Sequence, residues 1–97
     1  MSVAVVVRFT AAEGKAGALR PLLEQGRDNG RSAPGCEQLV LWQSTQDAHI
    51  FMLFEQWASL ADHARNLTER VRTDGNRARV MVLLAGPPES QTFDLLG

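Results

Sequence analysis

HIFMLFEQW, residues 49–57, is apolar without a break from Ile50 to Phe54, yet it carries a glutamate two residues before its closing tryptophan. Side chains alternate across a strand, so residues 49, 51, 53, 55 and 57 share one face, and Ile50, Met52, Phe54 and Gln56 share the other. Glu55 therefore stands between Leu53 and Trp57. An ionised carboxylate there needs a partner, since burying a bare charge is costly. Arg8, Arg77 and Arg79 are the cations that a neighbouring strand could bring to it.

Working outward, Cys36–Ser44 reads as a strand with Leu39, Val40, Leu41 and Trp42 at its centre, and Thr45–Ala48 reads as the hairpin loop joining it to the segment above. Val3–Thr10 is β-branched and aromatic and suits a strand covered on both faces, with Arg8 as the exception. Thr10-Ala-Ala-Glu13 has capping-box spacing and predicts a helix over about 12–30, with a bend at Pro21 and fraying after Gly26. Ser59-Leu-Ala-Asp62 repeats the capping box. The helix behind it is expected to bury Leu60, Ala64, Leu67 and Val71, with His63, Asn66 and Arg70 on the flank. Asp74-Gly75-Asn76 is expected to end that helix, and Arg77–Leu84 to form the fourth strand. Residues 86–97 read as a tail that adds a short strand or touches a partner.

The order β-α-β-β-α-β with right-handed crossovers predicts an α+β, ferredoxin-like domain over residues 1–85. Its antiparallel sheet runs 4-1-3-2 with both helices on one face. Ile50, Met52 and Phe54 then make an apolar outer sheet face, and a second copy of the chain is the economical cover for it.

Composition narrows the function. The chain has 97 residues and a net charge of −1, so it has no general attraction for nucleic acid or an anionic membrane. Nine of its ten cations are Arg, spread along helix and strand faces rather than gathered into a footprint. Cys36 is the single cysteine, so there is no internal disulfide, and no Cys/His set has metal-ligand spacing. Cys36 reads as a small apolar residue. The apolar N-terminus reads as a first strand rather than a signal peptide, and no apolar run is long enough to span a bilayer. A cytoplasmic protein is expected.

Pro34-Gly35-Cys36 ahead of strand 2, together with Phe54-Glu55-Gln56-Trp57-Ala58-Ser59, resembles the antibiotic-biosynthesis monooxygenase (ABM) family of the dimeric α+β barrel superfamily. The resemblance implies a homodimer of two ferredoxin-like sheets and an enzyme that uses O₂ without metal or flavin. Other members degrade haem or act as isomerases. Trp57 and Glu55 match the family's E-x-W pair, whose Trp lines a cavity between sheet and helices. The family's histidine usually lies about three residues further along the helix than His63. Two family features are missing: position 39 is Leu where an aromatic is common, and the chain has no Tyr, so no phenol side chain can orient a substrate. Val7 precedes Arg8 where the haem-degrading branch has Asn, which argues against haem chemistry.

The expected activity is a cofactor-independent monooxygenase reaction on a small aromatic, hydroquinone-like or polyketide-like molecule. His63 is the candidate base, and Trp57, Asn66, Arg8 and Glu55 are the candidate substrate contacts. A non-catalytic ligand-binding barrel and a non-oxidative isomerase are the rival expectations. Fold alone does not separate them.

Overall fold

The computed structural model describes residues 2–97. Four strands, β1 (Val3–Thr10), β2 (Cys36–Gln43), β3 (Ile50–Trp57) and β4 (Glu89–Asp94), form one antiparallel sheet in the order β2-β3-β1-β4. This is the ferredoxin-like α+β arrangement and the 4-1-3-2 order expected from the sequence. The helices are α1 (Ala16–Gly30), α2 (Leu60–Asn66), which continues as a π-helical turn over Leu67–Val71, and α3 (Gly75–Met81). Among the described residues no helix is long and apolar enough to cross a membrane.

β1 and β3 are central and pair from Val3↔Trp57 to Thr10↔Ile50. Their inner faces carry the core. Val3, Val5, Ala33 and Trp57 pack at one end, and Ala11, Leu19, Leu23, Phe51 and Val80 at the other. Trp57, Phe51, Leu19 and Val5 are fully buried. The β2–β3 hairpin closes on Ser44, whose hydroxyl accepts from the amides of Gln46 (3.2 Å) and Asp47 (3.1 Å), a local side-chain turn.

Three expectations are corrected. The fourth strand is not Arg77–Leu84 but β4, Glu89–Asp94, within the stretch expected to be a tail; it pairs with β1 from Val3↔Asp94 to Arg8↔Glu89. The 77–84 run is apolar at 80–84, a pattern that short helices and strands share. What decides it is Asp74, whose carboxylate accepts from the Asn76 amide at 3.0 Å and caps α3. Val80 then reaches the core beside Leu19 and Phe51. Asp74 thus starts a helix where it was expected to finish one.

The Thr10–Glu13 capping box is also unused. β1 runs through Thr10, whose carbonyl accepts from the Ala85 amide at 2.8 Å, and Ala11 bridges to Leu84. α1 begins only at Ala16, after Lys15, with no side-chain cap. It continues through Pro21 and past Gly26 to Gly30.

The third correction concerns α2. Ser59 caps it as expected, accepting from the Asp62 amide at 3.1 Å. Only half of the expected stripe lies inside: Leu60 is 52% exposed and Ala64 is exposed, whereas Leu67 and Val71 are half-buried against the space under the helix. The flank turns inward instead, bringing His63 and buried Asn66 toward the sheet.

Candidate functional site

The inward rotation of α2 makes sense against what it faces. Between the sheet and the three helices lies a cavity of about 600 Å³, within the roughly 300–1,000 Å³ of small-molecule sites. Val5, Val7 and Phe9 of β1 form its floor with Leu39 and Glu55. α1 contributes Leu23 and Gly26, and α3 contributes Asn76 and Val80. His63, Asn66, Leu67, Arg70 and Val71 line the α2 side. Leu19, Leu60 and Trp57 are not among the lining residues, so apolar packing has not closed this space.

The π-helical turn helps to build that wall. The Arg72 amide donates to the Leu67 carbonyl at 3.0 Å, an i→i+5 bond that widens the turn. Threonine hydroxyls brace it on both sides: Thr68 donates to the Ala64 carbonyl at 3.1 Å and Thr73 to the Glu69 carbonyl at 3.0 Å. Arg70 ties the segment to the end of α1 by donating to the Asn29 carbonyl (3.0 Å) and the Ser32 hydroxyl (3.2 Å).

The chemistry centres on Glu55, Trp57 and His63. Glu55 and Trp57 lie two residues apart on the helix-side face of β3, so the indole rests beside the carboxyl. Trp57 Nε1 donates to Glu55 Oε1 at 2.9 Å. His63 Nε2 lies 3.8 Å from the same oxygen, beyond hydrogen-bond reach. The imidazole leans on the indole, with ring centroids 5.6 Å apart and planes at 56°. Burial raises the Glu55 pKa above its ordinary 4.5, opposed by the Trp57 hydrogen bond. Burial also lowers the His63 pKa below 6.5. His63 is therefore a neutral imidazole at neutral pH, a proton acceptor facing the cavity.

The arginine partners expected for Glu55 are not there. Arg8 pairs with Met52 while Val5 pairs with Glu55, and the odd spacing puts Arg8 on the opposite face of the sheet, exposed and away from the cavity. Arg77 lines the cavity without pairing with Glu55, and Arg79 is exposed. Trp57 is fully buried and reaches the cavity only through Glu55 and His63. It supports the wall from behind rather than forming it. Of the residues singled out from the sequence, the fold brings His63, Asn66 and Glu55 to the cavity.

Asn76 was missed. It is 6% exposed and lines the cavity, and its Nδ2 donates to the Leu22 carbonyl at 3.1 Å. The signal was Asp74-Gly75-Asn76, which fits a helix start as well as a helix stop. The amide oxygens of Asn66 and Asn76 are both buried without a hydrogen-bond partner among the described residues. Among those residues no group of three or more His, Cys, Asp or Glu is placed to hold a metal ion.

No curated protein matches the chain by sequence. Solved structures do. Rv0793 from Mycobacterium tuberculosis is 27% identical, with all of this chain and 97% of that one aligned at a TM-score of 0.87. PA3566 from Pseudomonas aeruginosa is 29% identical over 99% of this chain and 95% of that one, at 0.82. SnoaB, a cofactor-independent oxygenase from Streptomyces nogalater, is 16% identical over 99% and 94%, at 0.84, a likeness of fold. The family model for antibiotic biosynthesis monooxygenase matches residues 2–73. That match covers the cavity floor, Glu55, Trp57 and the whole of α2, and by it this chain belongs to the antibiotic biosynthesis monooxygenase family.

Proposed function

We propose that the protein is a cofactor-independent monooxygenase that oxidises a small aromatic, hydroquinone-like molecule in the cavity between sheet and helices. The observation that carries this reading is a neutral, cavity-facing His63 beside Glu55 and Asn66, above an apolar floor of Val5, Val7, Phe9 and Leu39. Cofactor-free oxygenation needs a substrate that supplies its own electrons. A hydroquinone does so once deprotonated, and a positioned base of suitable pKa is the group the protein must provide. His63 takes the phenolic proton. The electron-rich ring then reacts with O₂. One oxygen atom stays on a ring carbon and the other leaves as water, so that hydroquinone and O₂ give hydroxyquinone and water. Glu55, fixed by Trp57, stabilises the imidazolium formed on His63. Asn66 holds a ring oxygen through its amide.

Oxygen uptake with 1,4-hydroquinone, compared between the wild type and His63→Ala, tests this reading. The variant is expected to lose roughly 10²- to 10⁴-fold in kcat/KM. Equal rates would remove His63 from the mechanism. Ligand binding without oxygen uptake in the wild type would favour a non-catalytic binding protein.

The working form is proposed to be a homodimer. The outer sheet face presents Val6, Val40, Met52 and Phe54 with Trp42, which is 58% exposed. Trp42 and Phe54 meet edge to face at 6.4 Å. An apolar face of this kind is stably covered by a second copy of itself.

A further inference from the structure

The cavity has two polar ends. Its floor follows β1 from Val5 to Phe9, four residues or roughly 13 Å at strand rise. Val5 pairs with Glu55 and Phe9 with Phe51. His63, Glu55 and Asn66 belong to the Val5 end. Asn76 belongs toward the other. It bonds Leu22, and both Leu22 and Phe9 pack on the core cluster that contains Phe51 and Val80. Gly30, at the far end of α1, instead sits over Leu39, the cross-strand neighbour of Glu55. On that helix Leu22 and Gly26, the two residues Asn76 meets, lie eight and four residues before Gly30, roughly 12 and 6 Å.

Asn76 is held in one orientation. Its Nδ2 donates to the Leu22 carbonyl, so flipping the amide would set two carbonyl oxygens against each other. Gly26 leaves room for it: a Cβ there would stand 3.3 Å from Nδ2. The fixed amide leaves Oδ1 as an acceptor with no donor among the described residues, on a side chain 6% exposed at the cavity wall. Asp74 does not relieve it, since its carboxylate is itself an acceptor and takes the Asn76 backbone amide. Buried acceptors are rarely left unpaired, and such an atom at a ligand cavity marks where a ligand donor belongs.

We propose that Asn76 is a specificity-determining residue that accepts a hydrogen bond from a hydroxyl on the end of the ligand remote from His63. The protein then selects aromatic ligands with a hydroxyl at both ends over those whose far end is bare or etherified. An ether oxygen would set acceptor against acceptor, and a bare ring would leave Oδ1 unpaired. The inference rests on the reading that the reactive phenol lies at the His63 end.

Anaerobic fluorescence titration of the wild-type protein with 2,6-dihydroxynaphthalene, 6-methoxy-2-naphthol and 2-naphthol tests it without turnover. The diol is expected to bind at least tenfold more tightly than either of the others. In Asn76→Leu that preference is expected to fall to within about twofold. Equal binding of all three by the wild type, or binding of none, would overturn the proposal. So would a preference that survives in Asn76→Leu. Because the wild-type comparison needs no variant, misfolding of Asn76→Leu would not shelter the idea. Diol preference without oxygen uptake on hydroquinone would defeat the oxygenase reading alone, whereas oxygen uptake with no diol preference would defeat this inference alone.

Discussion

His63 and Glu55 are shifted in opposite directions by the same cause, burial, and they leave opposite marks on the pH dependence. The folded His63 pKa lies below 6.5. Under acid conditions the unfolded chain binds the extra proton more readily, so the His63 contribution to stability is present above pH 6.5 and is lost as pH falls through the folded value. The folded Glu55 pKa lies above 4.5. Its contribution is present below pH 4.5 and is lost as pH rises through the raised value. In Glu55→Gln the Trp57 donor keeps an acceptor while the titration disappears. Urea unfolding at a series of pH values should show the loss of stability above pH 4.5 in the wild type reduced in this variant; an unchanged profile would mean that folding does not raise the Glu55 pKa. Catalysis should follow His63, with the acid limb of kcat/KM lying below pH 6.5. Trp57→Phe removes the indole donor and should cost roughly 1–3 kcal/mol, the usual cost of orphaning a buried acceptor. The sequence was sufficient to place Glu55 and Trp57 on one strand face. It led to the wrong partner for Glu55 because cations seemed necessary, although a same-face i, i+2 indole was already within reach.

Elements are positioned here by a few caps and one tight crossing. Gly35 adopts φ +83°, and a Cβ there would collide with the Asp62 carboxyl, which Ser59 and Arg65 hold in place at 3.0 and 3.1 Å. The Gly35 carbonyl also accepts from the Ala58 amide at 2.8 Å. Gly35→Ala should therefore destabilise by more than about 1 kcal/mol, through the left-handed backbone and the clash together. A thermal midpoint equal to wild type would contradict this. Ser59→Ala should cost about 1 kcal/mol as a lost N-cap, measurable in the same way. The Ser59 cap was readable because its geometry is local. The Thr10 cap failed because the carbonyl and backbone of that segment are claimed by Leu83–Ala85, residues more than seventy positions away in the chain. Periodicity likewise located α2 but misjudged its inner face. An apolar stripe is expected inside when the inside is core, and here the inside is a cavity lined by polar groups.

At the scale of the molecule, the sheet separates two tasks. One face holds the core and the cavity. The other carries Trp42, 58% exposed, in edge-to-face contact with Phe54. Trp42→Asp would place a charge on the proposed dimer face, where burial without a partner is prohibitive. Sedimentation velocity should show a dimer for the wild type and a monomer for this variant, with the far-UV spectrum unchanged. A wild-type monomer would remove the dimer proposal. The sequence by itself determined the strand order, the central pairing of β1 with β3, the face shared by Phe51, Glu55 and Trp57, and the family pattern around Pro34–Cys36 and Glu55–Trp57. These rest on alternation, turn chemistry and crossover handedness, which act over a few residues or follow from chain topology. Only the tertiary structure decided that 75–81 is a helix and 89–94 the edge strand, that Arg8 is turned away from the site, and that His63, Asn66 and Asn76 converge on one cavity. Those outcomes depend on which distant backbone and core groups each segment meets, and no local pattern encodes that.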